Sequence, residues 1–381
     1  MRWKMGVLWA AWAAGCGPTS DDPITEVGVT PAACMADLEE GFPVTRARYP
    51  GVLHSLVFDG AGIWLLHSEG EDPIPDATSV SRRTCDGKEL VDPVDLGVDG
   101  DVPRPTMSQL LLDGDSILLS LTYGNPLVEP LRTRLLRLDR DTGEPVAERW
   151  VERGEQGSFG AELLKQGDDL ILATPFYDQT SRSLVITRLA EDLSDAETLV
   201  SLDVPASPMI PPTLGVKGSD VVMAWGERVV LDEGYSPFVL RVHPDSEDGP
   251  PAGVVREFTS NLPIHMVTER SGRTLLAWAD EDGVRITEFG VWQEWPTIGD
   301  GGDEFSLTLV DGVAHLALSD TELNQSSWIG TVSEDGQFDV RYKDPTALPL
   351  VMSDVGAEGL VVGGPLRFAS PAAPWVYGVP R

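Results

Sequence analysis

Seven times along its 381 residues this chain repeats one pattern: a short strand, a turn centred on glycine, then a more apolar strand. The instances are SLVFDGAGIWLLH from Ser55, QLLLDGDSILLSL from Gln109, ELLKQGDDLILAT from Glu162 and TLGVKGSDVVMAW from Thr213. MVTERSGRTLLAW from Met266, LTLVDGVAHLALS from Leu307 and VMSDVGAEGLVVG from Val351 complete the series. The turn glycines are Gly60, Gly114, Gly167, Gly218, Gly272, Gly312 and Gly356, 51 to 54 residues apart up to Gly272 and 40 to 44 thereafter. Tight hairpins need positive φ, which glycine supplies at little cost. One such unit cannot bury its own apolar strands, so it must stack on copies of itself.

A second hairpin follows within each unit. The clearest is LLRLDRDTGEPVAERWV from Leu135, with RDTG as its turn; TCDGKEL, RVHPDSEDGPP and TVSEDGQFDV hold comparable places. Four strands in about 50 residues describe one blade of a β-propeller, and the inner pair, covered by both neighbours, reads as the more apolar. A single core of this length would exceed the ceiling of about 250–300 residues, which a ring of blades avoids. A pair of β-sandwiches would also give many short strands, but seven evenly spaced similar units argue against it. The fold expected is all-β, a seven-bladed propeller of four-stranded blades. Pro50, Pro105, Pro211 or Pro212, Pro263 and Pro349 stand just before first strands, where proline ends one blade without entering a central ladder. Helical periodicity is limited to a turn or two over Ala32 to Glu40.

The last unit, from about Thr346, holds only three plausible strands and ends in PWVYGVPR. A ring must seal its edges. The missing outer strand is expected from the N-terminal segment around Phe42 to Arg46.

The chain carries 61 acidic residues against 28 basic ones, a net charge of −33. Such a body repels phosphate backbones and anionic headgroups, which excludes nucleic acid as a partner and electrostatic adsorption as a route to the membrane.

The N-terminus reads as a targeting segment: Arg2 and Lys4 precede an apolar run from Met5 to Ala14, too short to span a bilayer. Ala11-Trp12-Ala13 fits the rule for ordinary secretion, whereas Ala13-Ala14-Gly15-Cys16 resembles the lipobox of bacterial lipoproteins, with Ala13 where that family usually carries Leu. The resemblance implies a diacylglycerol thioether on Cys16, cleavage before it, and, with Gly17 next, residence at the outer membrane. Acylation of Cys16 leaves an even pair, Cys34 and Cys85, and an exported chain would join them. The expected organisation is a leader over 1–15, a Pro/Ser/Thr/Asp-rich tether over 16–33 and the propeller over 34–381. In this reading Cys34 and Cys85 staple the closing segment to the outer hairpin of the first blade.

Chemistry is harder to find. LLRLDRDTGEPVAERW resembles one repeat of the pyrroloquinoline-quinone-type propellers, a repeat shared by scaffolds without cofactor, including an outer-membrane assembly lipoprotein; Asp141, Thr142 and Gly143 are expected to shape a turn, and no cofactor is expected. His54 and His265 open the inner strands of two units, around the top mouth of the central channel. Ser108, Glu162, Thr213 and Ser306 are expected in the same ring, either as a ligand site or as the polar lining of a wet channel. DLGVDGD (95–101) and GDGGDE (299–304) are dense in the oxygen ligands calcium prefers, but lack the alternating spacing of an EF-hand. No H-x-H, H-E-x-x-H or G-x-S-x-G motif occurs, so no metal site and no catalytic residue is assigned. Trp64, Trp225 and Trp278 recur on second strands, as core residues would.

The sequence therefore points to an exported, membrane-anchored, monomeric binding or scaffold module, more a binder of protein or glycan than an enzyme. The alternative is a propeller hydrolase or lyase acting on glycans with carboxylates in the channel mouth.

Overall fold

The computed structural model describes residues 38–39, 42–43, 47–48 and 52–380, except 70–76, 85–87, 99–102, 125–129, 159, 179–180, 205–207, 229–237, 245–263, 281, 294, 299–303, 311, 320–326, 345–350, 355–358 and 365–374. The leader, the tether and all three cysteines lie outside the described residues.

Twenty-nine strands and no helix occur among the described residues. Strands β1 (Leu38–Glu39) and β2 (Phe42–Pro43) pair with each other, and β3 (Ala47–Arg48) follows. The first blade is β4 (Val52–Phe58), β5 (Ile63–Glu69), β6 (Ala77–Arg83) and β7 (Glu89–Asp95). The second is β8 (Pro103–Asp113), β9 (Ser116–Tyr123), β10 (Arg132–Asp139) and β11 (Pro145–Val151). The third joins the short β12 (Gly157–Ser158) to β13 (Glu162–Gln166), β14 (Asp169–Tyr177), β15 (Arg182–Leu189) and β16 (Ala196–Asp203). The fourth is β17 (Pro208–Lys217), β18 (Asp220–Arg228) and β19 (Phe238–His243); the fifth is β20 (His265–Thr268), β21 (Thr274–Asp280) and β22 (Gly283–Glu288). The sixth is β23 (Glu304–Val310), β24 (Val313–Ser319), β25 (Ser327–Val332) and β26 (Phe338–Asp344). A final sheet orders β27 (Val351–Asp354), β28 (Gly359–Gly364), β29 (Trp375–Pro380) and then β3.

Inner strands touch in the cyclic order β4, β8, β13, β17, β20, β23, β27 and back to β4. This is a β-propeller. The expectation of seven uniform four-stranded blades is corrected: six blades, of three to four long strands, are each folded from one continuous stretch, and the remaining sheet is a composite of both chain ends. In the fifth blade the chain leaves β22 through Gly290 and Trp292, both with positive φ, and returns only as a single bridge, Val284 to Ile298. Among the described residues no full fourth strand forms there.

Closure uses different residues from those expected. Ala47 and Arg48 pair with Val376 and Trp375 of β29, whereas Phe42 and Pro43 pair with Glu39 and Leu38. The helical turn expected over Ala32 to Glu40 is replaced at its end by β1. The prolines also behave differently: Pro105 lies inside β8, and Pro211 and Pro212 inside β17, where the pairing register shifts. Proline lacks the N–H a ladder needs, so the strand bulges past it rather than ending.

From the first blade to the sixth, each pair of successive blades encloses a core. Trp64, Leu66, Ile117, Leu119 and Leu136 join the first and second blades. Trp225 belongs to the core of the third and fourth, and Trp278 to that of the fourth and fifth, so these indoles are packing residues, as expected. The RDTG turn shows how blades lock. Asp139 Oδ1 accepts hydrogen bonds from the backbone N–H groups of Asp141 and Thr142 and from the Thr142 hydroxyl. This presses Gly143 onto the preceding blade, where a Cβ would stand 2.8 Å from Val91 and 3.3 Å from Trp64. The organiser is Asp139; Asp141 is exposed and only 3.8 Å from Arg82.

Candidate functional site

The inner strands have one sheet neighbour each, and the cyclic order turns their other edge to the axis. Pairing register defines a level on them. Gln109, Glu162, Thr213, His265 and Ser306 stand opposite Ser120, Ala173, Ala224, Ala277 and Ala317, a small residue on every second strand. His54 holds the equivalent place in the first blade, in the bulge between Leu53 and Ser55. Five of the six expected residues therefore share one level. Ser108 does not; it falls one residue outside the pairing, and Gln109 takes its place. The signal was present: Gln109, Glu162 and Thr213 each precede their turn glycine by five residues.

Most of these side chains are already engaged in joining blades. The Gln109 amide oxygen accepts from the Leu163 N–H at 2.7 Å, and its Nε2 donates to the Leu163 carbonyl at 3.2 Å and to Glu162 Oε1 at 3.3 Å. The Thr213 hydroxyl accepts from the Met266 N–H at 2.9 Å. Three residues further along the same two strands, Thr268 Oγ1 accepts from the Val216 N–H at 2.8 Å and donates to its carbonyl at 3.0 Å. Between the first two blades Ser55 Oγ accepts from the Leu110 N–H at 3.4 Å. His54 Nε2 meets Ser68 Oγ at 2.7 Å, and His265 stacks edge-on against Phe305 with centroids 5.2 Å apart. The inner strands are thus sewn together by side-chain-to-backbone bonds.

Enclosure sets the charge state of the level. Burial pushes the Glu162 carboxyl up to about 8, against a weaker opposing effect of the Gln109 hydrogen bond. Burial lowers His54 to about 4, with help from neighbouring His67, and lowers His265 to about 4 despite its hydrogen bond to the Phe305 backbone. None of the six positions carries Arg, Lys or Asp. At neutral pH the level is polar and without net charge. Glu162 and both histidines are neither fully buried nor exposed.

No group of three or more His, Cys, Asp or Glu side chains among the described residues is placed to hold a metal. Of the two acidic loops, 299–303 lies outside the described residues; in the other, Asp95 caps the Gly97 N–H. A separate cavity of about 470 Å³ opens between the third and fourth blades, lined by Gln166, Ile186, Arg188, Val200 and Val221. Its Arg188 is already paired with Asp169 at 3.3 Å and Glu197 at 3.0 Å. No helix among the described residues is long and apolar enough to cross a membrane.

The chain is an all-β propeller. No family model and no curated protein matches it. Among solved structures it is similar to a mutant α-L-arabinofuranosidase from Fusarium graminearum in complex with an iminosugar inhibitor, at 12% identity, covering 88% of this chain and 98% of that one with a TM-score of 0.48. It is similar to the rhamnogalacturonan lyase YesW at 12% identity (87% and 72% covered, TM-score 0.42), and to the Dos1 propeller at 10% (88% and 94% covered, TM-score 0.46).

Proposed function

We propose that this protein is an exported propeller, anchored to the outer membrane through an acylated Cys16, that works as a binding module through the face where the inner strands begin. The observation that carries the reading is the engagement of Gln109, Thr213 and Ser55 in bonds between blades: it makes a rigid frame around an enclosed polar level. In this reading a Cys34–Cys85 bridge, which an unreduced peptide map would reveal, holds the segment that completes the composite sheet. The test places a photo-reactive phenylalanine at Ser108, beside the level, or at the exposed Asp115 in the β8–β9 turn, and irradiates intact cells. Adducts from position 108 and none from 115 are expected; equal yields, or none at 108, would sink the reading. Replacing Cys16 by Ser is expected to move the protein from the membrane to the soluble fraction.

Glu162 lends weight to a second reading, a hydrolase or lyase acting on glycans. A carboxyl held protonated at neutral pH suits a general acid. Glycoside hydrolysis ordinarily needs a second carboxylate within roughly 5–10 Å, and none of the other five positions supplies one. Release of reducing ends from plant or bacterial polysaccharides, abolished by Glu162→Gln, would decide for the enzyme.

A further inference from the structure

We propose that the level formed by His54, Gln109, Glu162, Thr213, His265 and Ser306 receives an uncharged, hydroxyl-rich ligand, the end of a saccharide chain, with the Glu162 carboxyl as the group that holds it. The inference rests on the reading of this face as the binding face.

Glu162 differs from its neighbours in what it has left to offer. Gln109 and Thr213 are tied to backbone groups of the next blade, and turning them toward a ligand would open a junction. The only hydrogen bond to the Glu162 carboxyl among the described residues is the long one from Gln109, and it falls on Oε1. Oε2 carries no hydrogen bond among the described residues, on a side chain of intermediate burial. Burial without a cationic partner keeps the proton on the carboxyl at neutral pH. A protonated carboxyl presents a donor and an acceptor side by side, which matches a hydroxyl able to accept and donate at one oxygen. The neutral imidazoles add less: one ring nitrogen of His54 meets Ser68 Oγ and one of His265 bonds the Phe305 backbone, so each has a single nitrogen left.

Charged ligands fit poorly. An anion would find no Arg or Lys at the level and would approach a body of net charge −33. A cation would require Glu162 to ionise in an enclosed site with no second carboxylate to share the charge.

Calorimetric titration of the full chain with cellotriose, xylotriose, mannotriose, maltotriose and arabinotriose tests this, with calcium chloride and an end-blocked trialanine as comparators. At least one trisaccharide is expected to bind near pH 6, and its affinity should fall about tenfold or more by about pH 9.5, as the proton leaves Glu162. Glu162→Ala should abolish binding. Glu162→Gln, which keeps a donor beside an acceptor, should bind at both pH values without the pH dependence, and it serves as the test if the alanine variant does not fold. Absence of binding by every trisaccharide, undiminished binding in the variant that removes the carboxyl, or preference for calcium or the peptide would overturn the proposal. Adducts at position 108 without saccharide binding would reject this ligand class alone; loss of those adducts would reject the binding face itself.

Discussion

Glu162 and the buried histidines make stability depend on pH in opposite directions. Glu162 keeps its proton up to about 8 when folded but releases it near 4.5 when unfolded, so the unfolded state gains as pH rises between those values. His54, His67 and His265 are lowered from 6.5 to about 4, mainly by burial, so the unfolded state takes up protons first as pH falls from 6.5 to 4. The four groups together place the stability maximum close to about pH 7, where three partly protonated histidines of the unfolded state balance the one proton held by Glu162 in the fold. Glu162→Gln is expected to remove a loss on the order of 3 kcal/mol between pH 5 and pH 8 while leaving the acid limb unchanged. Urea unfolding at four or five pH values measures this; a variant whose alkaline slope equals that of the native chain would show that Glu162 is ionised in the fold. These charge states could not be seen in the sequence. A common five-residue spacing before the turn glycine marked the level at Gln109, Glu162 and Thr213, but whether an acid there keeps its proton depends on neighbours 53 residues away, such as Gln109.

At the scale of elements, blades are held to one another by turns that reach across the junction. Gly143 and Gly336, in the outer hairpins of the second and sixth blades, both have positive φ and both lie on an indole of the preceding structure, Trp64 and Trp295. Gly143→Ala and Gly336→Ala are each expected to cost about 2–4 kcal/mol, from strain at positive φ and the clash of the new Cβ. Gly114→Ala, with positive φ but nothing within 4 Å, should cost less, and thermal unfolding of the three variants separates the steric part from the conformational one. The fifth and sixth blades use charge instead. Arg273 donates to both oxygens of Glu269 and to the carbonyls of Val332 and Ser333, and Glu269 accepts from the Ala314 N–H. Arg273→Ala strands a carboxylate 7% exposed and should cost about 3 kcal/mol, whereas removing both partners together should cost less than the two single losses summed. Strand positions were readable because strand–glycine–strand is a local code. The three-stranded fifth blade was not, because Trp292 in positive φ and the lone bridge at Ile298 replace a strand without leaving a periodic signature.

At the scale of the whole molecule, a ring has one weakness that no blade has, the place where its ends meet. The period of the repeat announced a closed architecture. It did not give the closing register, because two paired residues carry no pattern of their own, and the segment that reaches β29 proved to be Ala47–Arg48 rather than the more apolar Phe42 to Arg46. The outer edge of β29 is covered by those two residues. A chain beginning at residue 50 keeps every strand of the six continuous blades and loses this cover together with the paired β1 and β2. An uncovered strand edge is a template for pairing with another chain, and strands without their outer neighbour fray. The shortened protein is therefore expected to melt roughly 5 °C or more below the full chain, to be cut by protease first within 351–380, and to associate as its concentration rises. Calorimetry, timed proteolysis with mass mapping and size-exclusion chromatography read these three effects. Equal melting temperatures together with a first cut elsewhere would mean that the contact of β27 and β28 with β4 closes the ring without β3. The same comparison in high salt separates the contribution of charge: screening a net −33 should raise both melting temperatures alike, since the acidic residues are spread around the ring, and leave the difference between the two proteins in place.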